Sequence, residues 1–369
     1  SVWPHICALA VANDADRFGG LERVLVVSTW SLGRCWSAGF GASRIEAVRP
    51  RPHRGRALRV VPVDRLGIGA GMITRFAKLS VPMDPPLPVA GGLSERQLAF
   101  VEVDGCVAEV SPLPGLHQES LSEALDDLAA GTLRTPSARF AESVLRAQRD
   151  VESWTQRDAM RILPVMNALV VGDESGSDAH EIIKVKIGRD PSRDVPRLRS
   201  VLEQSPHCRL RLDGNRLLSL AQVLEVVSSL PHDRIEYVEE PLADPSQLPE
   251  LAKVVPVGLD ESLHDPAASR HEDAPGAWVH VMKPTRLGSL EELADEITSA
   301  ENLQRDVVLT SCFESPWTLG VLCRVAQRYG LSRAQGLGTA NLYAAWPAVD
   351  VSSSLPEVEL PELDWQPWI

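Results

Sequence analysis

The sequence predicts an α/β protein whose larger part is a TIM-like parallel barrel and whose smaller part is an α+β unit. Two observations carry this. Past residue 160, short β-rich runs alternate with helical patterns at a spacing of roughly 20–28 residues, and seven or eight βα units of that length close a parallel sheet into a barrel. Before that point, strand-like runs precede a helix with its own cap signals. A doubly wound open sheet is the competing arrangement. It wants a Gly-rich phosphate turn after an early strand, and no GxGxxG is present.

The elements follow in order. Residues 1–71 carry ten Arg, no Lys and five acids. The run Arg49-Pro-Arg-Pro-His-Arg-Gly-Arg56 has no apolar period. This segment reads as an N-terminal extension with little fixed structure. Ile6–Ala12 faintly resembles a secretory apolar stretch but is short and lacks a basic flank. Residues 72–137 read as the α+β domain. Ile73–Pro82 alternates as a strand, and Gln97–Val103 and Cys106–Val110 flank Asp104-Gly105, a type I′ hairpin signal. Ser120 and Glu123 form a capping box before Leu121, Leu125 and Leu128, with Gly131 at the C-terminal cap. Asp84–Gly92, rich in Pro and Gly, reads as a mobile loop. Residues 138–340 read as the barrel. Its strands are expected at Val165–Val171, Glu181–Ile187, Arg209–Leu212, Ile235–Val238, Val255–Leu259, Ala277–Met282 and Asp306–Thr310, with helices such as Leu218–Leu230 and Leu290–Ala300 between them. Residues 341–369 read as a tail that packs back on the α+β unit.

Composition narrows the function. The chain has 369 residues, 44% hydrophobic and 24% charged, with a formal charge of -13. That excludes a wholly disordered chain and argues against nucleic acid as a partner, which wants a basic face. No run of 18 apolar residues points to a membrane. Six scattered cysteines, with no CxxC, give neither a zinc spacing nor a disulfide framework; a cytoplasmic location follows as the expectation. Monomer and homo-oligomer stay equally open. Only five lysines occur against 32 arginines. A lysine kept in so arginine-rich a chain suggests a role that arginine cannot fill, because buried lysine can lose its proton near neutral pH.

Catalytic groups of a barrel sit at the C-terminal ends of its strands. Read this way, the second strand ends in Lys184-Val-Lys186, the third in Arg211-Leu-Asp213-Gly-Asn215 and the fourth in Glu239-Glu240-Pro241. The fifth ends in Asp260-Glu261-Ser262, the sixth in Lys283-Pro284 and the seventh in Thr310-Ser311-Cys312-Phe313-Glu314-Ser315. Residues two apart on a strand share a face, so Lys184 and Lys186 both aim inward. Asp213, Glu239 and Asp260 come from successive strands about 4.8 Å apart and converge. Three carboxylates in one mouth need a cation, and hard oxygen ligands with open positions suit Mg²⁺. Lys186 and Lys283 lie on opposite sides of that group. Such a site can take a proton from the carbon next to a carboxylate while positive charge stabilises the enolate. A single acid or lysine at a strand end is usually a solvated cap. It is the ordered series, one member per βα unit, that points to a site.

The series resembles the enolase superfamily, in the branch with two active-site lysines that includes muconate cycloisomerase. Within it the chain is most similar to the o-succinylbenzoate synthase family. Val110-Ser-Pro-Leu-Pro-Gly-Leu-His-Gln-Glu-Ser120, Arg211–Asn215 and Ile235–Pro241 carry that finer likeness, supported by Gly258–Leu263, Met282–Ser289 and Gly336–Thr339. The resemblance implies a (β/α)7β barrel with the α+β unit as its capping domain. It implies a lyase that removes water, in the syn sense, from 2-succinyl-6-hydroxy-2,4-cyclohexadiene-1-carboxylate to give 2-succinylbenzoate, a menaquinone precursor. Asp213, Glu239 and Asp260 then correspond to ligands of Mg²⁺, or of Mn²⁺ in its place, Lys186 to the base and Lys283 to the second lysine. Lys184 corresponds to a residue that tunes Lys186 or meets the substrate carboxylate. Asn215, Glu261 and Arg211 correspond to supporting residues, and Gly288, Ser311 and Ser315 to the substrate pocket. Racemisation of N-succinylamino acids, epimerisation of dipeptides and cycloisomerisation use the same metal and both lysines. A Schiff-base aldolase would need one buried lysine without the acids, and a barrel kept only for binding would have lost some of the series.

Overall fold

The computed structural model describes residues 73–87, 89, 92–149, 168–170, 181–264, 275–343, 346 and 360–368. The expected extension over 1–71 lies outside the described residues.

The first sheet is antiparallel. It contains β1 (Arg75–Leu87), β2 (Leu93–Val103), β3 (Cys106–Val110) and, at its edge, the two-residue strand β11 (Gln366–Pro367), in the order β11-β1-β2-β3. The β2–β3 turn has Asp104 at φ 51° and Gly105 at φ 82°, the left-handed pair that a two-residue type I′ turn requires. Strand β1 runs further than its sequence suggests. Asp84–Leu87, expected in a mobile loop, belong to it, and Leu87 pairs with Leu93. The reason is packing: Val81, Met83 and Leu87 are buried together with Leu98, Phe100, Tyr343 and Trp346, and that apolar face outweighs the local proline content.

Two helices cover the other face. In α1 (Leu121–Ala130), the Ser120 hydroxyl accepts the Glu123 N–H, the Glu123 carboxylate accepts the Ser120 N–H, and Gly131 closes the end at φ 64°. The second, α2 (Pro136–Arg149), buries Phe140, Val144 and Leu145 with Val101, Val110 and Leu125.

The second sheet is parallel and seven-stranded. Its strands are β4 (Ala168–Val170), β5 (Ile182–Lys186), β6 (Arg209–Asp213), β7 (Ile235–Glu239), β8 (Val257–Leu259), β9 (Trp278–Met282) and β10 (Asp306–Leu309), and each pairs with its neighbours in chain order. Helices α3 (Pro191–Gln204), α4 (Leu220–Ser228), α5 (Leu248–Leu251), α6 (Pro284–Leu287), α7 (Leu290–Asn302) and α8 (Pro316–Arg328) fall between or after these strands. An unbroken strand order with helical crossovers is what curls such a sheet towards a barrel. An isolated parallel bridge, Thr310 to Gly336, continues the order beyond β10. A core of Ile183, Val185, Leu210, Leu212, Val223, Val226 and Val238 lies between strands and helices. Helix α2 reaches this part as well: Arg146 pairs with Glu291 at 2.7 Å and Arg139 with Glu292 at 2.9 Å, both on α7.

Register decides what meets at the strand ends. Lys186 pairs with Asp213, and Asp213 with Glu239. The candidate residues of three strands therefore stand side by side rather than merely on the same sheet.

Candidate active site

Seven of the strand-end residues come together. The Lys184 ammonium donates to both oxygens of Glu239, at 2.7 and 2.8 Å, and lies 3.0 Å from Asp213 Oδ2. Lys186 donates to the same Asp213 oxygen at 3.2 Å and to Asn215 Oδ1 at 2.6 Å. Across the group, Lys283 pairs with Asp260. Asp213, Glu239 and Asp260 are 3%, 2% and 6% exposed. Carboxylates so buried need compensating charge, and the three ammonium groups supply it here.

Electrostatics follow. Burial opposes the charge on Lys184, but the carboxylates of Asp213 and Glu239 outweigh it and raise its pKa. Burial likewise opposes ionisation of Asp213, and the ammonium groups of Lys184 and Lys186 overcome it, bringing its pKa down to about 2. Lys283 goes the other way: burial lowers its pKa despite the nearby Glu239. One lysine is therefore fixed as a cation, and another is eased towards the neutral amine.

The backbone between the strand ends is tightly held. Glu240, at φ 37°, turns its carboxylate to the backbone N–H groups of Asp260 and Ser262 at 2.9 and 2.7 Å. It also accepts from the Ser262 hydroxyl at 2.9 Å and from Arg216 Nε at 3.0 Å. A Cβ on Gly214 would lie 2.6 Å from the Cα of Pro241, so only glycine lets these two strand ends approach. Glu261 is held near its neighbours with its Oε2 buried and unpartnered. Burial, with the charges of Glu240, Asp213 and Glu239, raises its pKa.

Other sequence-named residues lie elsewhere or are already engaged. Arg211 is fully buried and turned to Glu236, at 2.7 Å, and to the Ala334 carbonyl, at 2.7 Å. Gly288, at φ 136°, sits against Arg139 and Glu292, where α2 meets the start of α7. The Ser311 hydroxyl shares a hydrogen bond of 2.9 Å with Thr339. Ser315 caps α8 and donates to Glu109. Thr339 and Glu240 were not singled out as carrying a role in the site. Glu240 has a signal, the doubled acid before Pro241, and Thr339 closes the Gly336–Thr339 stretch that carries the family likeness.

Among the described residues, no three carboxylates, imidazoles or thiols are arranged as a ready metal cage. The ammonium groups lie on the oxygens that a metal would use. The donor set itself fits Mg²⁺: three buried carboxylates from neighbouring strand ends are hard anionic ligands, and they already draw cations to themselves.

Residues 168–347 match the family described as "Enolase C-terminal domain-like". The o-succinylbenzoate synthase of Escherichia coli (strain K12) is 31% identical over 283 residues, covering 69% of this chain and 86% of that protein. Solved structures share the fold, two of them as follows. The o-succinylbenzoate synthase from Thermosynechococcus elongatus BP-1, with Mg in its active site, matches at TM-score 0.55 and 24% identity, over 72% of this chain and 92% of that one. The dipeptide epimerase from Cytophaga hutchinsonii, complexed with Mg and D-Ala-L-Val, matches at TM-score 0.62 and 19% identity, over 74% and 89%. Among the described residues, no helix is long and apolar enough to cross a membrane.

Proposed function

Because the chain belongs to the enolase superfamily, we propose that it is a Mg²⁺-dependent lyase of the o-succinylbenzoate synthase kind. Its reaction is the syn loss of water from 2-succinyl-6-hydroxy-2,4-cyclohexadiene-1-carboxylate, giving 2-succinylbenzoate for menaquinone synthesis. The single observation that carries this reading is the placement of Lys186 and Lys283 against the buried carboxylates Asp213 and Asp260 respectively. The 31% identical relative supports the choice of substrate. We take the curled sheet as the wall of a closed (β/α)7β barrel, the antiparallel sheet with α1 as its cap, and 341–369 as a tail returning to that cap.

Asp213, Glu239 and Asp260 would hold Mg²⁺, which when bound supplies positive charge for the substrate carboxylate as its α-carbon loses a proton. Lys186, free to leave Asp213 once the carboxylates have another cation, takes that proton on Nζ. Asn215 accepts one of its N–H bonds, which aims the remaining lone pair. The same Nζ then returns the proton to the departing hydroxyl, since a syn loss keeps both on one face. The C–H and C–O bonds break and water leaves. Lys184, held charged by Asp213 and Glu239, keeps positive charge beside the reacting carboxylate. Lys283 faces the other side of the substrate and holds the developing charge. The reading covers a small-molecule carboxylate substrate only.

The test is purified chain with Mg²⁺ and the cyclohexadiene substrate, followed by loss of its ultraviolet absorbance, with Lys186→Ala alongside. Turnover lost in Lys186→Ala and in EDTA supports the reading; turnover retained in either sinks it. A second reading is racemisation of an N-succinylamino acid, favoured by the burial that eases Lys283 towards neutrality. It requires exchange of the α-proton with solvent deuterium from both enantiomers, and that exchange is lost from one hand alone in Lys283→Met.

A further inference from the structure

The seventh strand-end loop, Thr310–Ser315, is clamped by the antiparallel sheet and by the chain near Tyr343. Glu109 on β3, 2% exposed, accepts the Ser315 N–H at 3.2 Å, the Ser315 hydroxyl, and the Thr318 hydroxyl at 2.6 Å. A carboxylate from one sheet thus sits on the first turn of α8, where donors and helix dipole both favour it. Arg96 on β2 is fully buried. Its Nε donates to the Phe313 carbonyl at 3.2 Å, and its other nitrogens donate to the Pro112, Gln97 and Ser111 carbonyls. Tyr343 donates to the same Phe313 carbonyl at 2.7 Å. Phe313 has φ 57°, a left-handed conformation that an ordinary side chain adopts only when its surroundings hold it. Two donors from distant segments do so.

The clamp continues into the site. Glu314, fully buried, accepts the Cys312 N–H at 2.8 Å and the Thr285 hydroxyl at 2.5 Å. Thr285 follows Lys283 by two residues, on the short turn of α6. A continuous set of bonds therefore runs from Arg96 and Glu109 through Phe313, Glu314 and Thr285 to the backbone that carries Lys283. Nothing in the proposed reaction uses any of these groups as acid, base or ligand, yet Glu109, Arg96, Glu314 and Thr285 are buried polar residues, and the bonds of Glu109 and Arg96 join the antiparallel sheet to the seventh loop.

We propose that Glu109, Arg96, Glu314 and Thr285 are positioning residues: they lock the seventh loop to the antiparallel sheet and thereby set where the Lys283 ammonium stands over the substrate. This rests on the reading of Lys283 as a participant in the chemistry.

A double-variant cycle tests it. Glu109→Gln, at the far end, and Thr285→Val, at the near end, are made singly and together in the full chain. Each is expected to lower kcat about tenfold with KM changed less than about threefold, and the pair to lose little more than either alone, because both cut one connection. Losses that multiply, or losses seen only in thermal stability, overturn the positioning role. Amide hydrogen exchange over 310–318 reads the clamp without any substrate. Glu109→Gln should raise exchange at Ser315 and Thr318 about tenfold or more, and unchanged exchange overturns the clamp whatever the activity. If Lys283→Met turns over normally while exchange behaves as stated, the reading of Lys283 fails and the lock on the loop stands.

Discussion

The carboxylate of Glu240 accepts the backbone N–H of Asp260 at 2.9 Å. A side chain at the end of one strand thus fixes the main chain of the acid at the end of the next. The same carboxylate takes the Ser262 N–H, the Ser262 hydroxyl and Arg216 Nε, so four donors converge on one buried anion. The doubled acid at 239–240 divides its labour: Glu239 faces the lysine cluster and Glu240 staples the neighbouring strand end.

Glu240→Ala should therefore cost more than an average buried substitution. It leaves two backbone N–H groups and the Ser262 hydroxyl without the acceptor they share, a loss of about 3–5 kcal/mol. Glu240→Gln keeps one acceptor and should lose less than half of that. Urea unfolding of both variants checks the order; equal midpoints for Glu240→Ala and the parent would refute it.

Mg²⁺ should stabilise the folded chain independently of turnover. In EDTA-treated protein, Mg²⁺ at about 100 times its dissociation constant should add about 2.7 kcal/mol, a rise of several degrees in Tm by calorimetry. Asp213→Asn and Glu239→Gln should each abolish most of that rise. Melting that ignores Mg²⁺ would remove the three carboxylates from consideration as its ligands.

Acid should weaken the fold through two buried histidines. Burial, aided by the Arg305 charge, lowers the pKa of His280 from 6.5 to about 4. Burial also lowers His117 to about 4, against the pull of Glu119. The unfolded chain binds these protons first, so stability is full above about 6.5 and falls as pH drops towards 4, by at most about 3 kcal/mol per histidine. His280→Leu should flatten that slope. Stability measured by urea at pH 7, 6, 5 and 4.5 reads it; an unchanged slope in the variant contradicts the assignment.

Burial acts with the opposite sign on Glu314, raising its pKa from 4.5 to about 7. Its contribution is whole below about 4.5 and is lost as pH rises through about 7, where a buried carboxylate must ionise. Glu314→Gln should therefore reduce the fall in stability between about pH 4.5 and about pH 7. An unchanged fall in the variant would show that Glu314 is ionised throughout.

The tail should contribute to the antiparallel sheet. Gln366 and Pro367 pair with β1, Trp368 packs edge-on against Phe76 at 5.4 Å, and Arg75 lies 4.6 Å over Trp365. Deleting 360–369 uncovers that edge and should lower stability by about 2–4 kcal/mol. Trp368→Ala alone should account for about half.

Much of this was legible in the residues. Strand alternation, one chemically loaded terminus per βα unit, the Asp104-Gly105 turn and the Ser120–Glu123 cap are all local patterns, and local geometry obeys local sequence. The order K-x-K, D-x-N, E-E-P, D-E-S, K-P therefore placed Lys184, Lys186, Asp213, Glu239, Asp260 and Lys283 at the ends of successive strands without coordinates. The loop reading of Asp84–Leu87 failed because proline content is a weak guide where a strand has an apolar face to bury.

What only the folded chain decided are the partners of buried polar groups. Arg211 stands two residues from Asp213 and on sequence grounds belongs with it, yet it turns to Glu236 and Ala334. Glu109 meets α8 across 206 residues of chain, and Arg96 meets Phe313 across 217. Periodicity reports which face of an element is buried; it carries no record of which distant donor or acceptor waits there. A buried charge must find a partner, and three-dimensional proximity alone says which one.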